Sequence, residues 1–251
     1  MTGTVVTGIE ALPRDAVASA VTIGKFDGVH RGHRAVLERL VAEAEGRRTV
    51  VVTFDRHPAA LFTPEEAPVP LVSTAQKTEA LLALGIDLVV VLPFTREFAA
   101  LEPDAFVDNI LVAGLTAERV LVGADFRYGA RGAGTVETLR AAGERAGFAV
   151  ALVDDVCELD GTRVSSTGIR SDLDAGRLAE ATEALGRPHR IRSTVVPGYQ
   201  RGRELGYPTA NLAREAEGFI PADGVYACWL HVKAERYGAA VSIGNNPTFG
   251  D

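Results

Sequence analysis

The chain contains few cysteines, and their positions do not suggest a disulfide framework. Cys157 and Cys228 are its only two among 251 residues, and neither belongs to a Cys-x-x-Cys pair. The sequence therefore gives no sign of a disulfide scaffold or of a cysteine-based zinc site. Such sparse cysteine usage is typical of proteins from a reducing compartment, so we expect a cytoplasmic location.

Long apolar runs and basic blocks are also missing. The longest apolar run lies near Leu88 to Phe94, far short of a membrane span, and the first residues lack the pattern of a secretory signal. The net charge is −7, with no basic cluster of the kind that neutralises a nucleic-acid backbone. We therefore expect neither a membrane nor a nucleic acid as partner, whereas small anions held in a local pocket are compatible with this charge.

What the chain does contain is an alternation of two patterns. Short continuous apolar runs occur at Val17 to Ile23, Thr49 to Phe54, Leu88 to Leu92, Val120 to Gly123 and Phe148 to Val153. Helical patterns lie between them, around residues 33 to 45, 74 to 84, 103 to 113 and 135 to 146. This β-α-β-α order predicts an α/β fold with a doubly wound parallel sheet covered by helices on both faces.

The pattern changes after Leu185. Gly186-Arg-Pro188 predicts a helix end followed by a linker, so we place the domain boundary there, with a first domain at residues 1–186 and a second at 187–251. Short strands with turns follow at Ser193 to Val196, Gly224 to Val232 and Ala239 to Ile243. They predict an incomplete antiparallel β-barrel.

The segment from Gly24 to His33 is the most informative part of the chain, because it lies where the first strand turns into a helix. A helix N-terminus attracts phosphate through its unpaired N–H groups and its dipole. His30 and His33 add side-chain donors at that point. Three glycines let the backbone approach a ligand closely: Gly24, Gly28 and Gly32. The segment therefore predicts a site for the phosphates of a nucleotide.

Three other polar segments follow strands of the predicted sheet. They are Thr53 to Pro58, Gly123 to Gly129 and Ser165 to Arg170. Ligands of open parallel sheets bind beyond the carboxyl ends of the strands. We therefore expect these segments to line one crevice together with the loop that carries His30.

Some of these residues have simpler interpretations. Histidines three apart beside a glycine turn also occur on protein surfaces, and His30, His33 and His57 could together bind zinc, although they lack the H-E-x-x-H spacing. The run Ser165-Ser-Thr167 would equally suit a helix cap.

Aromatic and acidic residues of the same segments also have such interpretations. Phe54, Phe62 and Tyr128 are by default core residues. Asp27 and Asp55 could cap or end turns, and we leave both off the catalytic set.

Together the segments resemble the motifs of a known family, the bacterial bifunctional riboflavin kinase/FMN adenylyltransferases, or FAD synthetases. Gly24 to His33 resembles G-x-F-D-G-V-H-x-G-H, Thr53 to Pro58 resembles T-F-D-x-H-P, and Gly123 to Gly129 resembles G-x-D-F-x-F-G. Ser165 to Arg170 resembles S-S-T-x-I-R, and Gly206 to Asn211 resembles the kinase element G-x-P-T-A-N. The resemblance covers nearly the whole chain, with Tyr128 in place of the usual phenylalanine.

The resemblance implies an enzyme that makes FAD and pyrophosphate from ATP and FMN, with Mg²⁺ bridging the ATP phosphates. It implies catalytic roles for His30, His33, Asp125 and Arg170. It implies nucleotide contacts for Gly24, Phe26, Gly28, Gly32, Ser165, Ser166 and Thr167, and a flavin slot made by Phe54, Pro58, Phe62 and Tyr128. In the kinase-like domain it implies that Thr209 and Asn211 are ligands of Mg²⁺ and ATP.

The second domain departs from the family pattern at its end. The sequence stops at Asp251, whereas the resemblance implies further strands, including the strand that carries the catalytic glutamate of the kinase. We therefore expect that this chain does not convert riboflavin to FMN. A barrel lacking strands also exposes edges, so we expect some tendency to self-association.

Two other functions are compatible with the sequence. One is a flavin- or nucleotide-binding regulator without turnover. The other is a nucleotidyltransferase for a different phosphorylated acceptor, since the H-x-G-H element alone is widely shared.

Overall fold

A computed structural model describes residues 3–153, 158–159, 162–197 and 209–244. The chain forms two compact units, Met1–Val164 and Ser165–Asp251.

The first unit is built on a six-stranded sheet in which all neighbours are parallel. Its strands are β1 (Thr4–Thr7), β2 (Ser19–Ile23), β3 (Arg48–Phe54), β4 (Leu88–Leu92), β5 (Ala117–Gly123) and β6 (Ala149–Val153). Their order across the sheet is β1-β4-β3-β2-β5-β6. The chain therefore proceeds outward from β2 to β4 and then returns to the other side of β2, which places the topological switch point between β2 and β5.

Helices connect these strands. They are α1 (Arg31–Ala42), α2 (Ala59–Phe62), α3 (Thr74–Leu82), α4 (Arg96–Ala99), α5 (Pro103–Phe106) and α6 (Val136–Ala146). A π-helical stretch, Val107–Val112, continues α5. A short antiparallel pair, β7 (Glu158–Leu159) with β8 (Thr162–Arg163), follows the sheet.

Both faces of the sheet are covered, as the continuous apolar runs predict. In β3 the fully buried Val50 and Val52 face one core and Val51 faces the other. The first core is completed by α6 and by the segment formed by α5 and its π-helical continuation, whereas α1 and α3 complete the second. The doubly wound fold is therefore confirmed.

The five predicted strands are all present, and β1 is the strand that the sequence did not reveal. It lies at the sheet edge, beside β4, and its side chains are exposed or half-buried. A four-residue edge strand carries neither a long apolar run nor a clear alternation. For that reason its sequence resembles that of a loop.

The second unit begins with two helices, α7 (Ser166–Asp174) and α8 (Leu178–Leu185). Gly186 ends α8 in the left-handed conformation, with φ 69°, as predicted from the Gly-Arg-Pro sequence. Among the described residues of this unit, two antiparallel pairs of strands follow, β9 (Val195–Val196) with β10 (Asn211–Leu212) and β11 (Gly224–Val232) with β12 (Glu235–Ile243). The antiparallel character is confirmed, and the domain boundary after residue 186 stays a prediction.

Candidate active site

The loop between β2 and α1 is tightly turned. Phe26, Gly28 and Val29 have φ values of 48°, 84° and 42°, so two residues with side chains occupy the left-handed region, at a cost of roughly 1 kcal/mol each. The side chains of Phe26 and Val29 are almost fully buried in the core beneath α1. Their burial offsets the strain and holds the loop against the start of the helix.

His30 is the N-terminal cap of α1. Its ring Nδ1 accepts a hydrogen bond from the backbone N–H of His33 at 3.4 Å. In the neutral ring this bond leaves the proton on Nε2, because a nitrogen that accepts cannot also carry the hydrogen. The sequence prediction that this segment forms the beginning of a helix is therefore confirmed.

His33 stacks on His30 with 3.6 Å between ring centroids and meets the ring of Phe26 edge-on. Its Nδ1 is buried and has no hydrogen-bond partner within the described part of the chain. Burial first, and then the charges of His30, Lys25 and Lys77, lower the pKa of His33 well below 6.5. His33 is thus a neutral imidazole at pH 7, and the interpretation of this pair as ordinary surface histidines is wrong.

The carboxylates of the two motif loops join distant segments. Asp27 accepts a hydrogen bond from the N–H of Leu71 at 2.9 Å, and Asp55 accepts one from the N–H of Phe94 at 2.8 Å. Both bonds span about forty residues of sequence. Asp27 and Asp55 therefore link loops that lie far apart in the sequence.

Asp125 follows β5, on the other side of the switch point from the loop that carries His30. Its side chain is folded back toward the strand end, since a Cβ added to Gly123 would lie 3.2 Å from Asp125 Oδ1. Because β5 pairs with β2 in parallel, Asp125 and Gly24 follow strand ends at the same edge of the sheet.

A cavity of about 1040 Å³ opens at this edge, and seven of its lining residues are aromatic. The four residues predicted for the flavin slot all line it: Phe54, Pro58, Phe62 and Tyr128. Four further aromatic residues also line it: Phe94, Phe98, Phe106 and Phe126. Ring pairs among them lie 5.5 to 6.4 Å apart, for example Phe54 with Phe94 and Phe62 with Phe94.

Phe126 lies within the segment Gly123 to Gly129, whereas the other three additional aromatic residues lie outside the segments that the sequence singled out. Phe94 lies two residues after the end of β4, so the rule that directed attention to the other strand ends would have found it. Phe98 and Phe106 lie in α4 and at the end of α5. Nothing in their local sequence distinguishes a ring that lines a cavity from a ring in the core.

Tyr128 is both a core residue and a wall of the cavity. Its ring stacks on Phe126, and its hydroxyl lies 3.2 Å from Thr138 Oγ1. Gly134 lies against this ring, and a Cβ at that position would come within 2.6 Å of it. The tyrosine that replaces the usual phenylalanine of the motif therefore has a partner for its hydroxyl group.

Phe26 is a core residue, and its contact with a nucleotide stays a prediction. Its side chain is 3% exposed, packs in the core and supports His33, and it does not contribute to the wall of the aromatic cavity.

The segment Ser165 to Arg170 belongs to the second unit. Ser165 caps α7, and its hydroxyl accepts a hydrogen bond from the N–H of Gly168 at 3.1 Å, so the helix-cap interpretation is confirmed. Ser166, Thr167 and Arg170 lie in the first turns of that helix. Their contact with a triphosphate stays a prediction.

The two kinase-like residues lie near the short strand β10. Thr209 and Asn211 are both exposed, and the first three residues of the motif, 206–208, lie outside the described residues. In the described ranges, no group of three or more His, Cys, Asp and Glu side chains could hold a metal ion. His30, His33 and His57, all three of which are described, do not form such a group.

Comparison with known proteins identifies the family of the chain. A family model described as FAD synthetase matches residues 12–168, a range that contains the loop of His30, the aromatic cavity and Asp125. The chain belongs to the FAD synthetase family. A second model, riboflavin kinase, matches residues 185–251.

The sequence matches to curated relatives cover most of this member of the FAD synthetase family. A bifunctional riboflavin kinase/FMN adenylyltransferase from Listeria monocytogenes is 38% identical over 238 residues, which is 94% of this chain and 75% of the relative. A protein of the same description from Bacillus subtilis is 34% identical and covers 95% of this chain, with 75% of its own length matched.

A solved structure has the same fold. A crystal structure described as a macrolide-efflux protein from Streptococcus pneumoniae is 29% identical, with a TM-score of 0.85, and the match covers 99% of this chain and 81% of that one. In the part of this chain that the structure describes, no helix has the length and apolar character needed to cross a membrane.

The lowered pKa of His33 predicts a specific pH dependence of stability. Below pH about 6.5 the unfolded chain binds a proton at this residue that the folded chain does not. The free energy of unfolding of the wild type should therefore fall, relative to that of His33→Asn, as the pH is lowered from about 7.5 to 5. Urea unfolding of both proteins at several pH values measures this difference, and a difference that stays constant or grows in acid would contradict the assignment.

Proposed function

We propose that this chain transfers the adenylyl group of ATP to FMN and releases FAD and pyrophosphate. One observation carries the proposal: the phosphate-type loop, residues 24–30 between β2 and α1, adjoins the aromatic cavity at the end of one strand. Ile23, the last residue of β2, lines the cavity, and the next residue, Gly24, begins the loop that leads to His30. A flavin ring held in the cavity would therefore have its phosphate end close to this loop.

The reaction requires little acid–base chemistry from the protein. A phosphate oxygen of FMN attacks the α-phosphorus of ATP, the bond from that phosphorus to the bridging oxygen breaks, and pyrophosphate leaves. The second pKa of a phosphate monoester is about 6, so the nucleophile is already largely ionised at neutral pH. The protein contributes by holding both substrates in line and by donating hydrogen bonds to phosphate oxygens.

The residues at the start of α1 suit that task. In its neutral tautomer, His30 carries a proton on Nε2, and the buried Nδ1 of His33 lacks a partner among the described residues. The first N–H groups of the twelve-residue helix α1 lie beside them. The Nε2–H group of His30 and these backbone N–H groups support binding of an ATP phosphate, because they are donors that require no charged side chain.

The cavity suits the other substrate. Its volume is in the range of small-molecule sites, and its many aromatic rings favour a flat heterocycle over a flexible or strongly polar acceptor. The aromatic lining of the cavity supports FMN as the acceptor, rather than a different phosphorylated molecule.

The family resemblance also implies Mg²⁺, which usually binds substrate phosphates together with one or two protein oxygens. The hydroxyl of Thr209 and the side-chain oxygen of Asn211 are hard donors of the kind that Mg²⁺ prefers, and both residues are exposed. When bound, the ion would neutralise phosphate charge. We assign no protein ligand of Mg²⁺ in the first unit. There, phosphate oxygens of ATP would be ligands of the ion.

Product analysis with ATP and FMN tests the proposal directly. The wild type should form FAD and pyrophosphate, and His30→Ala should lower the rate by about 100-fold or more, since it removes both a phosphate donor and the cap that orders the loop. Glu38→Ala, an exposed change on the same helix, is the control and should keep wild-type activity. Arg170→Ala tests the role that the resemblance implies for that residue and should also lower FAD formation strongly.

Two outcomes of this experiment would count against the proposal. FMN binding without pyrophosphate release would favour a regulator without turnover. Near-normal activity of His30→Ala, in a protein that melts like the wild type, would remove His30 from the site.

The aromatic cavity gives a separate prediction for Phe62. This side chain is 60% exposed, so Phe62→Ala should change the free energy of unfolding by no more than about 0.5 kcal/mol. Loss of a stacking ring should nevertheless weaken FMN binding several-fold, up to about tenfold. Titration of FMN fluorescence measures the affinity. Val17→Ala, an exposed change just before the opposite end of β2, is the control, and equal affinities of the two variants would contradict the flavin slot.

A further inference from the structure

Helix α3 carries a buried lysine that the reaction described above does not use. Lys77 is 8% exposed, and its ammonium group donates hydrogen bonds to two backbone carbonyls, that of Lys25 at 3.2 Å and that of Phe54 at 2.7 Å. Lys25 lies in the phosphate-type loop after β2. Phe54 ends β3 and lines the aromatic cavity. One side chain thus binds the backbone of both halves of the candidate site.

These bonds begin where the sheet stops connecting the two strands. The parallel register of β2 and β3 ends with Ile23 opposite Val52, and the N–H of Gly24 makes a last bond to the Val52 carbonyl at 3.0 Å. Beyond that point, the Lys25 carbonyl accepts from Thr53 Oγ1 at 3.1 Å as well as from Lys77. Side chains therefore take over the role of the backbone ladder where the two loops diverge.

Burying the charged ammonium group of Lys77 at this position costs desolvation free energy. Burial lowers the pKa of Lys77 to about 8, against the opposing influence of the nearby carboxylates of Asp27 and Asp55. An apolar side chain of similar length would pack on α3 without that desolvation cost. General packing of the helix does not explain an ammonium group here, whereas the need to bind two loop carbonyls does.

We infer that Lys77 is a positioning residue that fixes the phosphate-type loop relative to the flavin cavity. The inference rests on the proposed function, because it concerns the alignment of FMN with ATP. Lys77 does not itself need to touch either substrate: its two carbonyl contacts hold the loop of His30 at a set distance from the wall formed by Phe54. Loss of these contacts should leave each substrate able to bind but less well aligned for attack.

Lys77→Met is the main test, because methionine keeps the length of the side chain and removes the charge and the donors. Thr78→Val is the matched control. It removes a buried hydroxyl of the same helix, whose bond goes to the Ala75 carbonyl within α3 and not to either loop. Should Lys77→Met fail to fold, Lys77→Leu, which also lacks a donor, replaces it with the same expectations.

The first readout is kinetic. Lys77→Met should lower kcat for FAD formation by about 10- to 100-fold, the usual cost of a small misalignment, while the KM values for ATP and FMN change by less than about threefold. Thr78→Val should keep kcat near that of the wild type when both are assayed below their melting temperatures. A kcat for Lys77→Met equal to that of Thr78→Val, or a loss confined to KM, would overturn the inference.

The second readout does not depend on activity. Amide hydrogen exchange should be faster in residues 24–30 and 53–58 of Lys77→Met than in Thr78→Val, while the strands β2 and β3 stay equally protected in both. Unchanged exchange in these two loops would overturn the inference even if FAD formation is confirmed. A wild type that forms no FAD would instead defeat the proposed function, and the exchange result would still decide whether Lys77 holds the loops together.

Discussion

Helix α1 is capped by a histidine, and the arrangement of the two imidazoles at the site depends on this cap. Most helices use serine, threonine, aspartate or asparagine at this position. Here the ring of His30 accepts the N–H of His33, which fixes the orientation and tautomer of the first ring and brings the second ring into a stack with it. Burial of Phe26 and Val29 holds the loop in its strained conformation, so that the cap forms.

The order of strands determines what surrounds this cap. Because β2 lies between β3 and β5, the loop of His30 has a neighbouring strand end on each side. The end of β3 contributes Phe54 to the cavity, and Asp125 follows β5. A parallel sheet thus gathers residues that lie far apart in sequence at one edge, without any long excursion of the chain.

Much of this could be predicted from the sequence, because the signals are local. Continuous apolar runs indicated the strands, a glycine-rich turn before an amphipathic helix indicated the phosphate-type loop, and Gly186 indicated a helix end. The motif residues Phe54, Pro58, Phe62 and Tyr128 were correctly expected to lie together.

The rest depended on tertiary structure. Phe98 and Phe106 line the cavity only because of how α4 and α5 pack beside it, and no spacing rule shows that. Lys77 has the sequence appearance of a solvated helix residue, and its burial follows from the loops that fold over it. Asp27 and Asp55 resembled turn residues because their partners lie about forty residues away.

The most direct test of the account is a crystal structure of the protein with FMN and a non-hydrolysable ATP analogue. The account predicts the isoalloxazine ring inside the cavity lined by Phe54 and Tyr128, and a phosphate of the nucleotide hydrogen-bonded to His30 or His33 at the start of α1. A flavin bound outside that cavity, or a triphosphate away from both histidines, would contradict it.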